Sequence, residues 1–585
     1  MGALPLCVIY ALLSICAVMV TDAAISTMTY VPQGNNPLLY QPGAEPIMHL
    51  DQATFADTIF DPTKRTSFVV EYYADWCGHC RAFAPYYREF ASLVASWNEV
   101  TRVAAINCAD SFNAPVCRDN GVQYFPMIKY FPRHAATFND GIPLEASHSG
   151  VNLRDQVSHK VLNEYSRMPY PDWPNFHYLD VTRNTRYEDL WAGVSDTANY
   201  LVIIFEQYDG AGVEFVLNLY PYRALVGGRR ALSSTPLVQM LQITSFPYVA
   251  MFKRGDQQAV FMGPYSTTTL QEVINRVQPG QLVTMPPVIT TTARKIDLVD
   301  CDKDPERCAG MYFASETDML KAMYSALHDE VVRANDRVEG QNFTNLYNFV
   351  SLLAEHFPSL TFANSGTRRR LVRQSTSMVL KKSERARMVF AHMKQYLDQK
   401  PGVVSANDWK NQFESIERVY GNPFPVNATW QHCSGSAPQY RGYTCGLWTT
   451  FHTLTVHTYM DTIKNKKMNP LKPLKAIQGW VNSFFGCQHC KNHFMHMTTT
   501  MFPMSERRVR HSHDMVMYLW RAHNIVNNRL HGDVTEDPQF TKYQFPPVFL
   551  CPTCHAGGHF SRRQVRNYLL RYYANIRPHH WSHNL

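Results

Sequence analysis

The sequence predicts a multidomain chain in which two α/β units precede an all-α region. Three observations carry this expectation. Apolar runs alternate with helix-spaced stretches around "EYYADWCGHCRAFAPYYREF", Glu71 to Phe90. A cysteine-free echo follows, "ITSFPYVAMFKRG" repeating the pattern of "GVQYFPMIKYFPR". Beyond a Pro-rich stretch, "VQPGQLVTMPPVITT" from Val277 to Thr291, the periodicity turns helical. The 585 residues give room for roughly three to five domains. A hydrophobic share of 45% supplies packed cores and excludes a disordered chain. The net charge of +8 is mild for this length, and basic runs such as Thr367 to Arg370 and Lys381 to Arg387 are local. They read as solvated helix faces, with an acidic partner as the alternative. No nucleic-acid motif is present, so no nucleic-acid partner is expected.

The N-terminus predicts a signal peptide over 1–23. Its apolar core runs from Leu4 to Val20, and Thr21 and Ala23 are placed for cleavage after Ala23. A membrane anchor is the alternative, at the short limit for a span. No other long apolar run occurs, so the mature chain is expected to lack a membrane span. After removal of Cys7 and Cys16, twelve of the 14 cysteines remain, in six local pairs: 77/80, 108/117, 301/308, 433/445, 487/490 and 551/554. An oxidising compartment lets all six close. "NFT" at Asn342 and "NAT" at Asn427 are glycosylation acceptors usable on that route. The expected location is secreted, by way of the endoplasmic reticulum and Golgi.

"SFVVEYYADWC" reads as a strand, and Phe83, Tyr87, Phe90 and Val94 then recur at helical spacing. "RVAAIN" is a second strand and "GVQYFPMIKYF" a third, interrupted by Pro126. The second unit opens with "NYLVIIFEQYDG" and places Pro247 where the first has Pro126. No cysteine lies between Cys117 and Cys301, so this unit cannot exchange disulfides and serves spacing or substrate contact.

Cys77 and Cys80 carry the first chemistry. A Cys-x-x-Cys at a helix N-terminus sets its first sulfur against free backbone N–H groups and the positive end of the helix dipole, which favours the thiolate. His79 offers positive charge beside it, and two sulfurs one turn apart can attack and then resolve a mixed disulfide. Half a zinc site is the alternative. Cys108–Cys117 reads as a structural disulfide, and Cys301–Cys308 as a local staple rather than a third shuttle.

The second centre is "FFGCQHCKNHF", with Cys487 and Cys490 one turn apart and His493 three residues on. Upstream, Cys445, Trp448 and His452 form one stripe; downstream, Trp520, His523, Asn524 and Asn527 form another. Such stripes can sandwich a planar cofactor, aromatics on its ring and amides or imidazoles on its edge. The alternative is ordinary bundle core with satisfied histidines.

"WCGHC" with the later "FP" resembles the disulfide-isomerase branch of the thioredoxin fold. That resemblance implies a cis Phe125–Pro126 bond facing the cysteines and a buried Glu71 that relays the proton of Cys80. Arg441, "CGLWTTFHTLTVH", "FFGCQHCKNHF" and "HNIVN" are similar to the FAD-binding domain of the Erv sulfhydryl oxidases. The whole, from about Ile47 to His555, resembles the quiescin sulfhydryl oxidase family. The resemblance implies FAD contacts from Arg441, Trp448, His452, His489, His493, the run Trp520 to Asn527, Lys542 and Phe545, the last where the family often has Trp. It implies a Cys433–Cys445 bridge and a third Cys-x-x-Cys, Cys551–Cys554, of redox or structural role. It also implies that 292–405 is a degenerate copy of the bundle, packed on it as a pseudo-dimer within one monomer. His489 stands where the family has an acid and would favour the thiolate.

"CPTCH" out of context signals covalent c-type haem, and Cys487/490 with Cys551/554 could form a four-cysteine zinc site, which would silence the redox pair. The family context argues against both, and no metal is expected. The expected domains are 46–165, a redox-active thioredoxin unit; 166–285, an inactive one; 292–405, the degenerate helical region; 410–555, the FAD-binding bundle; and 556–585, a tail. The expected activity passes electrons from reduced secretory proteins through Cys77–Cys80 and Cys487–Cys490 to FAD and O2, yielding hydrogen peroxide. A disulfide isomerase with an inert helical half, or a matrix glycoprotein with vestigial redox folds, are the competing expectations.

Overall fold

A computed structural model describes residues 30–34, 36–182, 184–278, 298–358, 381–463 and 468–579. The expected signal peptide and residues 279–291 of the Pro-rich stretch, the expected hinge between the α/β and helical parts, lie outside these residues.

In the first α/β unit the apolar run Ser67–Tyr73 is buried on both faces and becomes the central strand. It pairs in parallel with Thr101–Asn107 and antiparallel with Met127–Phe131; Met48–Leu50 and Ile142–Leu144 close the edges. Helix Gly78–Leu93 packs onto the sheet through Cys80, Phe83, Ala84, Tyr87 and Phe90, the helical spacing of its sequence. Helix Gly150–Arg167 lies beside it, its N-terminus capped by Ser149. Phe125–Pro126 is cis, as the resemblance implied.

The second unit repeats this plan with a four-stranded sheet, Val226–Leu232, Tyr200–Glu206, Tyr248–Lys253 and Ala259–Pro264 in spatial order. Phe246–Pro247 is cis too, matching the echo read in the sequence. Its helix Ala211–Leu219 meets the first unit, where Trp97 Nε1 donates to Asn218 Oδ1 (2.7 Å) and Arg154 pairs with Glu214 (2.7 Å).

The rest is helical around one continuous core, from Ala314 to Ile576. Gly340–His356 packs on Lys382–Asp398 and on Leu471–Phe484, and Glu316–Tyr324 crosses Gly442–Thr462. At that crossing Gly446 lets the backbones close in, since a Cβ there would sit 2.7 Å from Ala322 Cβ. Residues 556–585, read above as a tail, contain helix Arg562–Ala574, which buries Val565, Leu569 and Tyr573 in the bundle. Ile576–Arg577 then pairs with Ala314–Ser315, tying the chain end to the start of the helical region. Among the described residues no helix is long and apolar enough to cross a membrane.

Candidate functional site

Cys77 is the N-cap of helix Gly78–Leu93, and both Cys77 and Cys80 are free and buried. Burial raises the Cys77 thiol, but hydrogen bonds from Cys80 and the charge of Arg81 outweigh it and leave Cys77 below the usual thiol range. Cys80 is raised by burial, by its bond to Cys77 and by Glu71. This contrast suits the first sulfur to attack and the second to keep its proton. The central strand carries Glu71 fully buried behind the pair, with Tyr40 donating to Oε2 and Oε1 unpartnered. Burial pushes its carboxyl up to about 8.

Cys487 N-caps helix Gln488–His496 and is bonded to Cys490. The thioredoxin unit is docked on this pair. Phe125 N donates to Gly486 O (2.8 Å), and Phe125 bridges Cys487 as a parallel strand would. Trp76 stacks on Phe485 (centroids 5.4 Å, planes 21° apart), and His79 stacks on His489 (4.7 Å, 9°). Cys487 is 0% exposed and joins the thioredoxin core; Cys490, partly buried against the same core, lines a cavity to which Trp76, Gly78 and His79 also contribute.

Both histidines depart from the sequence expectation. Burial, then His489 and His148, lower His79 to about 4, and burial with Arg529 lowers His489. At neutral pH the pair is uncharged, so neither ring supplies the positive charge read from composition; backbone, thiol and Arg81 do that work instead.

The cavity encloses about 320 Å³. Trp448 and His523 stack at 4.0 Å and 5° on one wall, with Phe451, Phe494 and Phe545 nearby. Arg441, Asn527, Lys542, His489 and His493 also line it. Arg441 opens helix Gly442–Thr462, and its guanidinium lies 3.8 Å from the Phe540 centroid. Burial and neighbouring Arg441 lower Lys542 to about 8, so it stays mainly cationic at neutral pH. Neither Arg441 nor Lys542 forms a salt bridge among the described residues.

Three of the sequence-picked residues stand behind the wall. Trp520 Nε1 and Asn524 Nδ2 donate to Phe545 O (2.5 and 2.9 Å), and Asn524 Oδ1 accepts from Phe545 N, so both fix Phe545. His452 Nε2 contacts His523 Nδ1 at 3.0 Å; burial lowers His452 to about 3 and His523 well below its usual value, so both rings are neutral. The His452 Nδ1 is buried without a partner, as is Thr541 Oγ1 on the cavity lining. An aromatic slot, two unpaired cations and orphaned polar atoms beside a dithiol fit a planar ring bearing a phosphate tail.

The sequence reading missed Trp76, Tyr312, Tyr572 and Tyr573 as lining residues. For the last two a signal existed: Val565, Leu569, Tyr572 and Tyr573 recur at helical spacing in "RRQVRNYLLRYYANI", beneath a heavy arginine content.

The bridges Cys108–Cys117, Cys301–Cys308, Cys433–Cys445 and Cys551–Cys554 are all closed. Cys551 and Cys554 are buried, and His555 Nε2 contacts Pro546 O (2.8 Å), so the motif braces the turn that presents Phe545. Both sulfurs that haem attachment would consume are thus bonded to each other. The one metal-like grouping among the described residues, His432 with Cys433 and Cys445, spends its cysteines on a disulfide.

The thioredoxin family matches residues 46–145, and the Erv1 / Alr family residues 445–546. Sulfhydryl oxidase 1 of Cavia porcellus is 29% identical over 521 residues, which are 88% of this chain and 78% of that protein. Sulfhydryl oxidase 1 of Pongo abelii is 30% identical over 525 residues, 88% of this chain and 64% of that one, so the chain spans under two thirds of this relative. Among solved structures, the sulfhydryl oxidase fragment of human QSOX1 is 28% identical, with a TM-score of 0.37, covering 45% of this chain and 97% of its own. A thioredoxin match and an Erv1 / Alr match lie at the two ends of one chain, and single relatives align across 88% of it. The chain is thus similar along most of its length to the sulfhydryl oxidases that join a thioredoxin domain to an Erv1 / Alr domain.

Proposed function

We propose that the chain oxidises dithiols of reduced secretory proteins to disulfides, relaying two electrons from Cys77–Cys80 to Cys487–Cys490. The observation that carries this is the docking of one Cys-x-x-Cys on the other, through Phe125 and Gly486, with Cys490 turned to the cavity. A substrate thiolate attacks the oxidised Cys77–Cys80 bond at Cys77 and releases Cys80. The second substrate thiol displaces Cys77, leaving a substrate disulfide and a reduced pair. Docked, the Cys77 thiolate attacks Cys487, and Cys490 leaves as thiolate. Cys80 then attacks Cys77 and frees Cys487; the ionised form of Glu71, a minority at neutral pH because burial holds the carboxyl at about 8, takes the Cys80 proton.

FAD is the cofactor of this family and supplies, when bound, a two-electron acceptor that O2 reoxidises with formation of hydrogen peroxide. Trp448, His523 and Phe545 would flank its ring; Arg441 and Lys542 would meet its phosphates; His489, His493 and Asn527 would contact its edge. His452, Trp520 and Asn524 would hold those contacts in place. We assign 292–405 as a degenerate copy of the bundle that completes an internal pseudo-dimer, supported by the single core the two halves share. Closed disulfides and an exposed Asn427 support passage through the secretory route; Asn342 sits half-buried in the first turn of Gly340–His356.

The test compares two double variants with an oxygen electrode. Cys77→Ala/Cys80→Ala should lose most oxygen consumption with an unfolded reduced protein, yet keep measurable turnover with concentrated dithiothreitol, which reaches Cys487–Cys490 directly. Cys487→Ala/Cys490→Ala should lose both. Oxidation of reduced protein at the parental rate by the first variant would end the relay.

A further inference from the structure

We propose that Glu330 and Arg333, on helix Glu330–Ala334 of the first helical half, are the latch that positions the thioredoxin dithiol on Cys487–Cys490. The proposal rests on the relay above. These residues belong to neither redox centre, yet they touch both sides of the dock. Arg333 Nη1 donates to Val122 O of the thioredoxin unit at 2.9 Å, and its guanidinium lies 4.7 Å from the Phe125 centroid. Arg333 Nη2 donates to Phe484 O (3.0 Å) and to Glu330 Oε2 (2.9 Å). The same Glu330 oxygen accepts from Gly486 N at 2.7 Å. Gly486 in turn receives Phe125 N, the residue before the cis-proline. One acid and one base therefore pin the two backbone segments that bring Cys77 to Cys487.

The chemistry of the pair suits positioning rather than bulk stability. Both side chains are almost wholly buried, 2% exposed for Arg333 and 5% for Glu330. A buried ion pair roughly offsets its own desolvation, so such a pair is weak evidence of a stabilising role. What it supplies is direction: a planar guanidinium reaches two carbonyls and a ring at once, which lysine cannot do. The bond to Val122 O exists only while the units are docked. Gly486 shows how close the approach is. A Cβ there would lie 2.7 Å from the Phe125 ring and 2.8 Å from Arg333 Nη2. A second contact line runs alongside, with Arg118 of the thioredoxin unit reaching Asp336 (3.3 Å) of the same helical half and Asn407 (3.0 Å) just beyond it. The first helical half, with no redox motif of its own among the described residues, thereby acquires a task in electron transfer.

The test uses the full-length, FAD-loaded chain and the variants Arg333→Met and Arg333→Lys. Misalignment of reacting atoms by about 1 Å can cost up to 100-fold. We expect oxidation of reduced protein to fall about tenfold or more in both, with flavin content full and direct dithiothreitol oxidation within about twofold of the parent. Formation of the Cys77–Cys487 adduct in a Cys80→Ser background, where the Cys77 thiolate attacks the Cys487–Cys490 bond, Cys490 leaves as thiolate and no Cys80 remains to resolve it, should slow to the same degree, read on non-reducing gels after acid quench and alkylation. An equal fall in the dithiothreitol route would assign Arg333 to the Cys487 turn alone and overturn the latch, as would parental rates throughout. Should Arg333 variants lose flavin, Gly486→Ala decides: its methyl meets the thioredoxin ring, and parental protein oxidation with full flavin would refute the proposal. Failure of the relay itself is separate, because only then does Cys77→Ala/Cys80→Ala retain protein oxidation.

Discussion

Acidification should loosen the thioredoxin dock. The rings of His79 and His489 stack across it at 4.7 Å, with His148 at 5.2 Å from His79 and His493 at 4.6 Å from His489. Arg81 lies on the His79 helix, and His496 lies on the His489 helix; Arg529 faces from helix Ser512–Leu530 and Asp533 from the turn beyond. Asp533 alone favours protonation of His489, and burial and Arg529 outweigh it. Burial and His489 hold His79 at about 4 in the dock, and release, which removes His489 but leaves His148, lets it rise toward its ordinary 6.5. The released form therefore binds more protons in between, so docking holds above pH 6.5 and weakens as pH falls toward 4. Between pH 7.5 and 5 the full shift amounts to about 2 kcal/mol. The ring is half-exposed, and solvent screening reduces this to about 1 kcal/mol, or about fivefold in the docking constant.

The assay is the initial rate of reduced-protein oxidation for the parent and for His79→Asn across this range. The ratio of the two rates removes the fall in substrate thiolate, which both share. That ratio should drop about fivefold from pH 7.5 to 5. A flat ratio, or one that rises on acidification, would refute the argument.

Glu71→Gln keeps the shape of a buried carboxyl that burial holds at about 8 but removes its ability to accept the Cys80 proton. Release of mixed disulfides at Cys77 should slow about 100-fold, seen as an accumulated adduct after acid quench and alkylation, and a parental release rate would sink the role. Trp448→Ala, His523→Ala and Tyr573→Ala should each shed flavin while the thioredoxin unit stays folded, since the first two form the stacked wall and Tyr573 stacks on His452 at 4.9 Å. The ratio of flavin to protein absorbance after gel filtration measures this; full flavin in all three would remove the cavity assignment.

The redox pairs were legible because the chemistry dictates their spelling: two sulfurs one turn apart at a helix start can be recognised without neighbours. The cavity stripes were legible only to the nearest face. About 100° separates successive helix residues, so Trp520 and Asn524 lie about 60–100° around the helix from His523. That offset turns them from the cavity onto the Phe545 backbone, while His523 and Asn527 stay on the lining. Burial also decides charge, and sequence does not display burial. Two histidines inside Cys-x-x-Cys motifs suggested local cations, but stacking ring on ring across the dock leaves both neutral. The terminal helix was hidden for a compositional reason: its arginines occupy the solvent side of a stripe whose apolar side closes the cavity. Nothing in the sequence near Glu330 or Arg333 marks them, because their partners are backbone groups far along the chain.

The docked arrangement cannot be the whole cycle. Cys77 and Cys80 are both fully buried in it, and thiol–disulfide exchange requires a sulfur that an incoming thiolate can reach in line. A protein substrate can therefore be oxidised only when the thioredoxin unit is released, and its electrons can be delivered only when it returns. The dock must then be marginal, because every gain in its stability speeds delivery and withholds the substrate site. The interface is composed accordingly. Its attractive part is largely polar and directional: the Phe125–Gly486 backbone bond, two stacked ring pairs, arginine contacts from Arg81, Arg118 and Arg333, and a buried ion pair whose desolvation cancels much of its attraction. Two neutral histidines add a contact that a modest fall in pH withdraws. A tight apolar interface of the same extent would hold Cys77 against Cys487 equally well and would leave the enzyme without a substrate site.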